Sequence, residues 1–174
     1  MQKIEDYIKS IPDFPKPGVL FRDVTGILDN AEGLRLTLDS LYRALEGVEF
    51  DAVAGLEARG FLFGTPIAAH FGKAFIPVRK KGKLPRETVE QSYDLEYGTA
   101  TIEIHKDAVK PGQKIVIVDD LLATGGTAEA AVKLVESLGG VVVKCLFVIE
   151  LLDLNGRERL RKYDISSLTQ FPGH

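Results

Sequence analysis

The chain has 174 residues, 45% hydrophobic and 27% charged, enough to bury one good core as a single domain spanning 1–174. A net charge of −3 gives no general attraction to nucleic acid or to an anionic membrane, so any basic region must be local. The N-terminus lacks a basic segment followed by an apolar one, no apolar run is long enough to span a bilayer, and a lone Cys145 cannot form an internal disulfide; these features predict a cytoplasmic protein without a signal peptide.

In chain order, residues 2–10 read as a short amphipathic helix with Ile4, Tyr7 and Ile8 on one side, and Pro12, Pro15, Pro17 and Gly18 then break the pattern. Leu34, Leu38, Leu41 and Leu45 recur at helical spacing and form a core stripe. Residues 52–56 predict a strand, 60–71 a helix and 75–78 a strand. The polar stretch 81–92 holds Gly82 and Pro85, has no apolar periodicity, and is expected to be a mobile loop. Residues 93–105 read as two strands joined near Gly98, and Pro111-Gly112 turns the chain into the unbroken run Ile115-Val116-Ile117-Val118. A helix over 127–138 stops at Gly139-Gly140, and 141–149 is again a strand, with Cys145 packed as a small hydrophobe. Such alternation implies an α/β fold with a parallel-centred sheet flanked by helices, and ligands gathered at the carboxyl ends of its strands.

Three of those ends carry suggestive chemistry. Leu56 leads to Glu57-Ala58-Arg59-Gly60, Val78 to Arg79-Lys80-Lys81, and Val118 to Asp119-Asp120. A run of Ile and Val without alternation fits a central strand buried on both faces. After it, Ala123-Thr124-Gly125-Gly126-Thr127 turns into a helix: the glycines let backbone approach a ligand, the threonines add hydroxyls, and the helix start presents free N–H groups and positive dipole. That is a cradle for a phosphate dianion. Like charges repel, so Asp119 and Asp120 either accept hydrogen bonds from sugar hydroxyls or sit near a metal. Hydrophobic-Asp-Asp is also the grammar of P-loop nucleotidases, but no G-x-x-x-x-G-K-[ST] occurs, and a Rossmann G-x-G-x-x-G is absent too. Between Lys73 and Arg86 lie six basic residues and no acidic one. An arbitrary charge run is usually a solvated loop, but this one follows a strand end in a chain that carries a phosphate loop.

VDDLLATGGT resembles the phosphoribosyl-pyrophosphate (PRPP) motif of type I phosphoribosyltransferases, in the wording of their adenine-using branch. FPKPGVLFRDVTGIL, GLEARGFLFG, IPVRKKGKLP and SYDLEYG resemble the same family in the same order, together covering nearly the whole chain. The resemblance implies the type I phosphoribosyltransferase fold with a small N-terminal hood (about 1–30) and a flexible catalytic loop (about 81–97). It implies transfer of the phosphoribosyl group from PRPP to adenine, giving AMP and pyrophosphate, with Mg²⁺ carried by PRPP near Asp119 and Asp120, in a homodimer.

By the same resemblance, Glu96 and Arg59 are catalytic, Glu96 as the carboxylate near adenine N7; the alternating pattern alone favours an outward-facing strand residue at Glu96. Asp119 and Asp120 would hold the ribose hydroxyls, and Ala123, Thr124, Gly125, Gly126 and Thr127 the 5′-phosphate. Ala58, Arg59, Arg79, Lys80 and Lys83 would contact pyrophosphate, with a strained peptide expected in Ala58-Arg59-Gly60. Phe21 would stack on adenine while main-chain groups of Val19 and Arg22 read its edge; Leu121 or Leu122 would cover the other face. Enzymes for hypoxanthine and guanine carry Asp where this chain has Ala123, which argues against 6-oxopurines but is compatible with xanthine-type relatives. The competing class is a regulatory protein that keeps the fold and senses PRPP while binding nucleic acid; it needs a basic module that is not visible here. A transferase using orotate or uracil lacks support from SYDLEYG and FRDV.

Overall fold

A computed structural model describes residues 2–95 and 97–172. Seven strands form one sheet in the order β5-β6-β4-β3-β7-β8-β9, from Thr88–Asp94 (β5), Thr99–His105 (β6), Ala74–Lys80 (β4), Ala52–Leu56 (β3), Lys114–Leu122 (β7), Val141–Leu151 (β8) and Ile165–Phe171 (β9). The five strands from β4 to β9 are parallel; β6 and β5 add an antiparallel edge.

The unbroken apolar runs exist because both faces of this sheet are covered. Ile115 and Ile117 of β7 point into one core with Ala54, Leu56 and Phe147, closed by Ala131, Leu134 and Val135 of α4 (Gly126–Ser137). Val116 and Val118 point into the other with Val53, Leu146 and Val148, closed by Leu41 of α2 (Ala31–Ala44) and by Phe63 and Ile67 of α3 (Arg59–Phe71). Alternation of side chains across a strand sends successive residues of one run to opposite layers, so neither set tolerates a polar residue. Asn30 fixes the start of α2, its Oδ1 accepting from the N–H groups of Glu32 and Gly33 at 3.0 and 3.1 Å. Cys145 lies fully buried, and burial pushes its thiol up to about 12, as befits a packed hydrophobe.

The first 30 residues differ from the single helix expected over 2–10. Ile4–Tyr7 is one turn of 3-10 helix, and the chain then extends as β1 (Lys9–Pro12), pairs antiparallel with β2 (Leu20–Asp23) and enters the short α1 (Thr25–Leu28). Ile4 and Ile8 are buried as the apolar pattern requires. Pro12 falls at the end of a two-stranded ribbon, where no further ladder bond is needed.

Within the expected loop over 81–97, Thr88–Asp94 is regular strand. β5 pairs with β6 from Thr88↔His105 to Asp94↔Thr99, and a turn closed by Leu95 N–H to the Gly98 carbonyl at 2.9 Å joins them. Only Val89 and Tyr93 of this edge strand pack on the core, so the polar sequence concealed a strand with one thin apolar face. Residues 82–88 are held from below by the buried Glu103, which accepts from Gly82 N–H at 3.1 Å, Leu84 N–H at 3.4 Å and Thr88 Oγ at 3.1 Å. Among the described residues, no helix is long and apolar enough to cross a membrane.

Candidate active site

Two clefts open at the carboxyl edge of the sheet and share one residue. The first, of about 190 Å³, is lined by Asp119, Asp120, Leu121, Ala123, Thr124, Gly125, Gly126 and Thr127, with Arg59 on its wall. Every residue expected to hold ribose and 5′-phosphate is therefore in one place. Gly125 takes φ +87° to turn β7 into α4, and no side chain caps that helix, so its N-terminal N–H groups remain available to a ligand. A Cβ on Gly126 would meet nothing closer than Tyr93 Cδ2 at 3.6 Å and Thr124 Oγ at 3.8 Å. The glycine there is not demanded by protein packing, which is what a position of close ligand approach looks like.

The carboxylates at the floor have different surroundings. Asp120 is 5% exposed, and its Oδ2 accepts from Arg59 Nε at 2.5 Å. Asp119 is open to the cleft but enclosed on its other sides; its Oδ1 accepts from Asp120 N–H at 2.8 Å. That enclosure, and next the Asp120 charge, hold the Asp119 carboxyl above the usual carboxylate range. Gly60 lets α3 start this close to β7: a Cβ there would lie 2.9 Å from the Val118 carbonyl oxygen and 3.2 Å from Asp119 Oδ1.

The second cleft, of about 400 Å³, is lined by Ile11, Phe14, Phe21, Asp23, Val24 and Thr25, and again by Arg59. Phe14 meets Phe21 edge to face, centroids 5.0 Å apart. Asp23 accepts from Thr25 Oγ at 2.6 Å and Thr25 N–H at 2.9 Å, hydrogen bonds that hold its carboxyl below the usual range. Sequence reasoning singled out Phe21 but missed Phe14, Ile11, Asp23 and Thr25; the Asp-x-Thr spacing, a local turn signature, was the available signal. Val19 and Arg22 do not line this cleft. The Val19 carbonyl accepts from Phe14 N–H at 3.2 Å, and the Arg22 guanidinium lies over Phe171, 4.3 Å from its centroid, with Nη1 donating to Ser10 Oγ. Leu121 lines the first cleft, as does the buried Leu122.

The basic residues are divided. Arg59 bridges both clefts, whereas Arg79, Lys80 and Lys83 line neither. Glu57, flagged in the loop after β3 but given no role there, accounts for part of this: its Oε1 accepts from Arg79 Nε at 3.1 Å and Lys80 N–H at 2.7 Å, drawing β4 toward the end of β3. Lys83 is exposed on the turn beyond. The Glu57–Ala58 peptide, just before Ala58-Arg59-Gly60, is cis. Glu96 lies outside the described residues. Near it in sequence, Tyr93 packs beside Gly126, so the β5–β6 hairpin lies next to the start of α4.

Among the described residues, no three His, Cys, Asp or Glu side chains are grouped to hold a metal ion. The donor chemistry is two adjacent carboxylates, too few for a dedicated cage but suited to a hard cation whose other ligands come from a polyphosphate and waters.

The phosphoribosyl transferase domain model matches residues 25–171. An adenine phosphoribosyltransferase of Butyrivibrio fibrisolvens is 61% identical over 173 residues, covering 99% of this chain and 96% of the relative. The crystal structure of adenine phosphoribosyltransferase from Thermoanaerobacter pseudethanolicus superposes with TM-score 0.94 at 56% identity, covering 97% of this chain and 98% of that one. The Saccharomyces cerevisiae enzyme, solved in complex with D-2,5-dideoxy-2,5-imino-altritol 1,6-bisphosphate and adenine, gives TM-score 0.89 at 40% identity, over 95% of this chain and 96% of that one. With strand order, phosphate loop and full-length similarity in agreement, the chain belongs to the phosphoribosyltransferase family, among the adenine phosphoribosyltransferases.

Proposed function

We propose a division of labour between the two clefts for the reaction of this family, in which adenine and PRPP give AMP and pyrophosphate in purine salvage. The start of α4, with Thr124 and Thr127, binds the 5′-phosphate through N–H and hydroxyl donors. Asp119 and Asp120 accept hydrogen bonds from the ribose hydroxyls, and charge assistance strengthens these contacts. Phe21, braced by Phe14, offers its face to adenine, while Leu121 or Leu122 covers the opposite side. Arg59 lies where the base cleft meets the ribose cleft, next to the bond that is made and broken.

Attack of adenine N9 on the anomeric carbon expels pyrophosphate through an oxocarbenium-like transition state, by analogy with glycoside chemistry. Arg59, backbone N–H groups near Ala58, and Arg79, Lys80 and Lys83 stabilise the leaving group. Arg79 and Lys80 at the end of β4, and Lys83 on the turn beyond, reach it only by moving toward the cleft, a closure that would exclude water from PRPP. The Arg79–Glu57 pair must open for that to happen. Glu96 takes or shares the adenine proton at N7. Mg²⁺, carried by PRPP near Asp119 and Asp120, supplies charge neutralisation of pyrophosphate. The working form is a cytoplasmic homodimer, and residues 1–30 act as the hood over the base.

The observation that carries this reading is that one arginine lines both an aromatic cleft and a phosphate-loop cleft. Pyrophosphate release from PRPP with Mg²⁺, compared for adenine, hypoxanthine, guanine, xanthine and no base, tests it. Rapid release with adenine alone, with AMP as product, is expected. Saturable PRPP binding without turnover on any base, together with salt-dependent nucleic-acid affinity, would favour the regulatory class instead.

A further inference from the structure

The phosphate loop has a wall behind it whose chemistry the reaction does not use. Glu150 lies near the end of β8, in register with Leu122 on β7 and Gln170 on β9. It is 3% exposed, yet it is fully partnered: Arg157 Nε donates to Oε1 at 3.1 Å and to Oε2 at 2.8 Å, and Ser167 Oγ donates to Oε1 at 2.7 Å. Gln170 Nε2 holds Ser167 Oγ in turn at 2.8 Å. Burial opposes a charge here, but Arg157 and Ser167 outweigh it and keep the carboxyl below the usual range.

Arg157 follows Gly156, and Gly156 touches the loop itself. A Cβ on Gly156 would lie 2.6 Å from the Ala123 carbonyl oxygen and 2.7 Å from Leu122 Cδ1. Reciprocally, a Cβ on Gly125 would lie 2.8 Å from the Gly156 carbonyl oxygen. Two glycines thus stand back to back, the start of α5 (Gly156–Arg159) pressed against the backbone of the phosphate loop. Arg159 reinforces the join through Glu129 in the first turn of α4, at 3.3 Å.

We propose that the Glu150–Arg157 pair is a positioning device for PRPP binding: anchored to the sheet edge, it holds Gly156 against Ala123 and Gly125, fixing the loop that grips the 5′-phosphate. The inference rests on the assignment of 123–127 to that phosphate. The simpler account is that the pair merely ties β9 to β8. That role affects stability, and it leaves the affinity for PRPP in folded protein where it was.

Glu150→Gln separates the two accounts, and Gly156→Ala, whose methyl meets the Ala123 carbonyl directly, is the control for displacement of the loop; the thermal midpoint is recorded, and KM for PRPP, KM for adenine and kcat are measured on folded protein. Displacing a phosphate cradle by a fraction of an ångström is expected to raise KM for PRPP on the order of tenfold in each variant, with KM for adenine and kcat at saturating PRPP within about threefold of wild type. If Glu150→Gln does not fold, Ser167→Ala, which removes one donor from the carboxylate, is expected to move KM for PRPP in the same direction by about twofold to threefold. Thr127→Val is measured alongside. A rise in KM for PRPP with Thr127→Val and none with Glu150→Gln or Ser167→Ala overturns the positioning role. No rise with Thr127→Val either removes the phosphate assignment, and the proposal with it.

Discussion

Arg59 Nε meets Asp120 Oδ2 at 2.5 Å, joining the first residue of α3 to the end of β7 across 61 positions of sequence. Under the proposed assignment, the cation for pyrophosphate and a carboxylate for ribose are thus engaged with each other. On that assignment PRPP would exchange this ion pair for contacts of its own, so the pair would keep both groups oriented while taxing binding. Asp120 also raises the basicity of Arg59 through that hydrogen bond, so the guanidinium stays charged at any working pH.

Arg59→Gln is expected to lower kcat by about 10²-fold, the scale for losing one preorganised donor at a site of developing charge. It also leaves Asp120 buried without its cation, costing about 1–2 kcal/mol of stability, kept modest because Arg59 is half-exposed. Steady-state kinetics with a denaturant titration checks both.

Asp119→Asn is expected to raise stability and lower activity. Its carboxyl is held above the usual range, so ionisation favours the unfolded chain. Stability contributed by this group is full below the ordinary carboxylate pKa and is lost as pH rises through the higher native value. The variant should therefore melt above wild type at neutral pH and converge with it in acid. KM for PRPP should rise about tenfold as a charge-assisted acceptor becomes neutral. Thermal midpoints across pH, with PRPP kinetics, test the pairing of these signs.

Gly60→Ala and Gly126→Ala are expected to fail for different reasons. At Gly60 the new methyl meets the Val118 carbonyl, with an overpacking cost of about 1–3 kcal/mol. At Gly126 it meets only ordinary contacts, so the thermal midpoint should hold while KM for PRPP rises about tenfold through obstruction of close ligand approach.

Glu96→Gln is expected to lower kcat by about 10²–10⁴-fold with adenine, the usual range for a general acid–base group, and to flatten the acid limb of the kcat–pH profile. A loss under about threefold would remove Glu96 from the mechanism.

What the sequence revealed followed from periodicity. β3 and β7 are buried on both faces and read as plain apolar runs, and α3 and α4 were legible to within two residues at each end. β5 was read only from residue 93, although it starts at Thr88, and β9 was missed, because edge strands mix Thr, Ser and Gln with few apolar residues, and their pairing partners supply what the local pattern lacks. Within the site, the contiguous 119–127 segment was readable as a unit. The aromatic cleft was not, since Phe14 lies among prolines with no period and meets Phe21 only once β1 and β2 fold back. The role of Glu57 and the whole of Glu150 escaped for the same reason: their partners lie in other strands and turns.

The most direct test of two clefts acting as one site is equilibrium binding of AMP, whose base and 5′-phosphate must occupy both at once, to wild type, Phe21→Ala and Thr127→Val. Each variant is expected to weaken AMP about tenfold, the base-stacking loss matching the loss of a phosphate contact. Unchanged AMP affinity in Phe21→Ala, with weakened binding in Thr127→Val, would contradict the account and detach the aromatic cleft from the reaction.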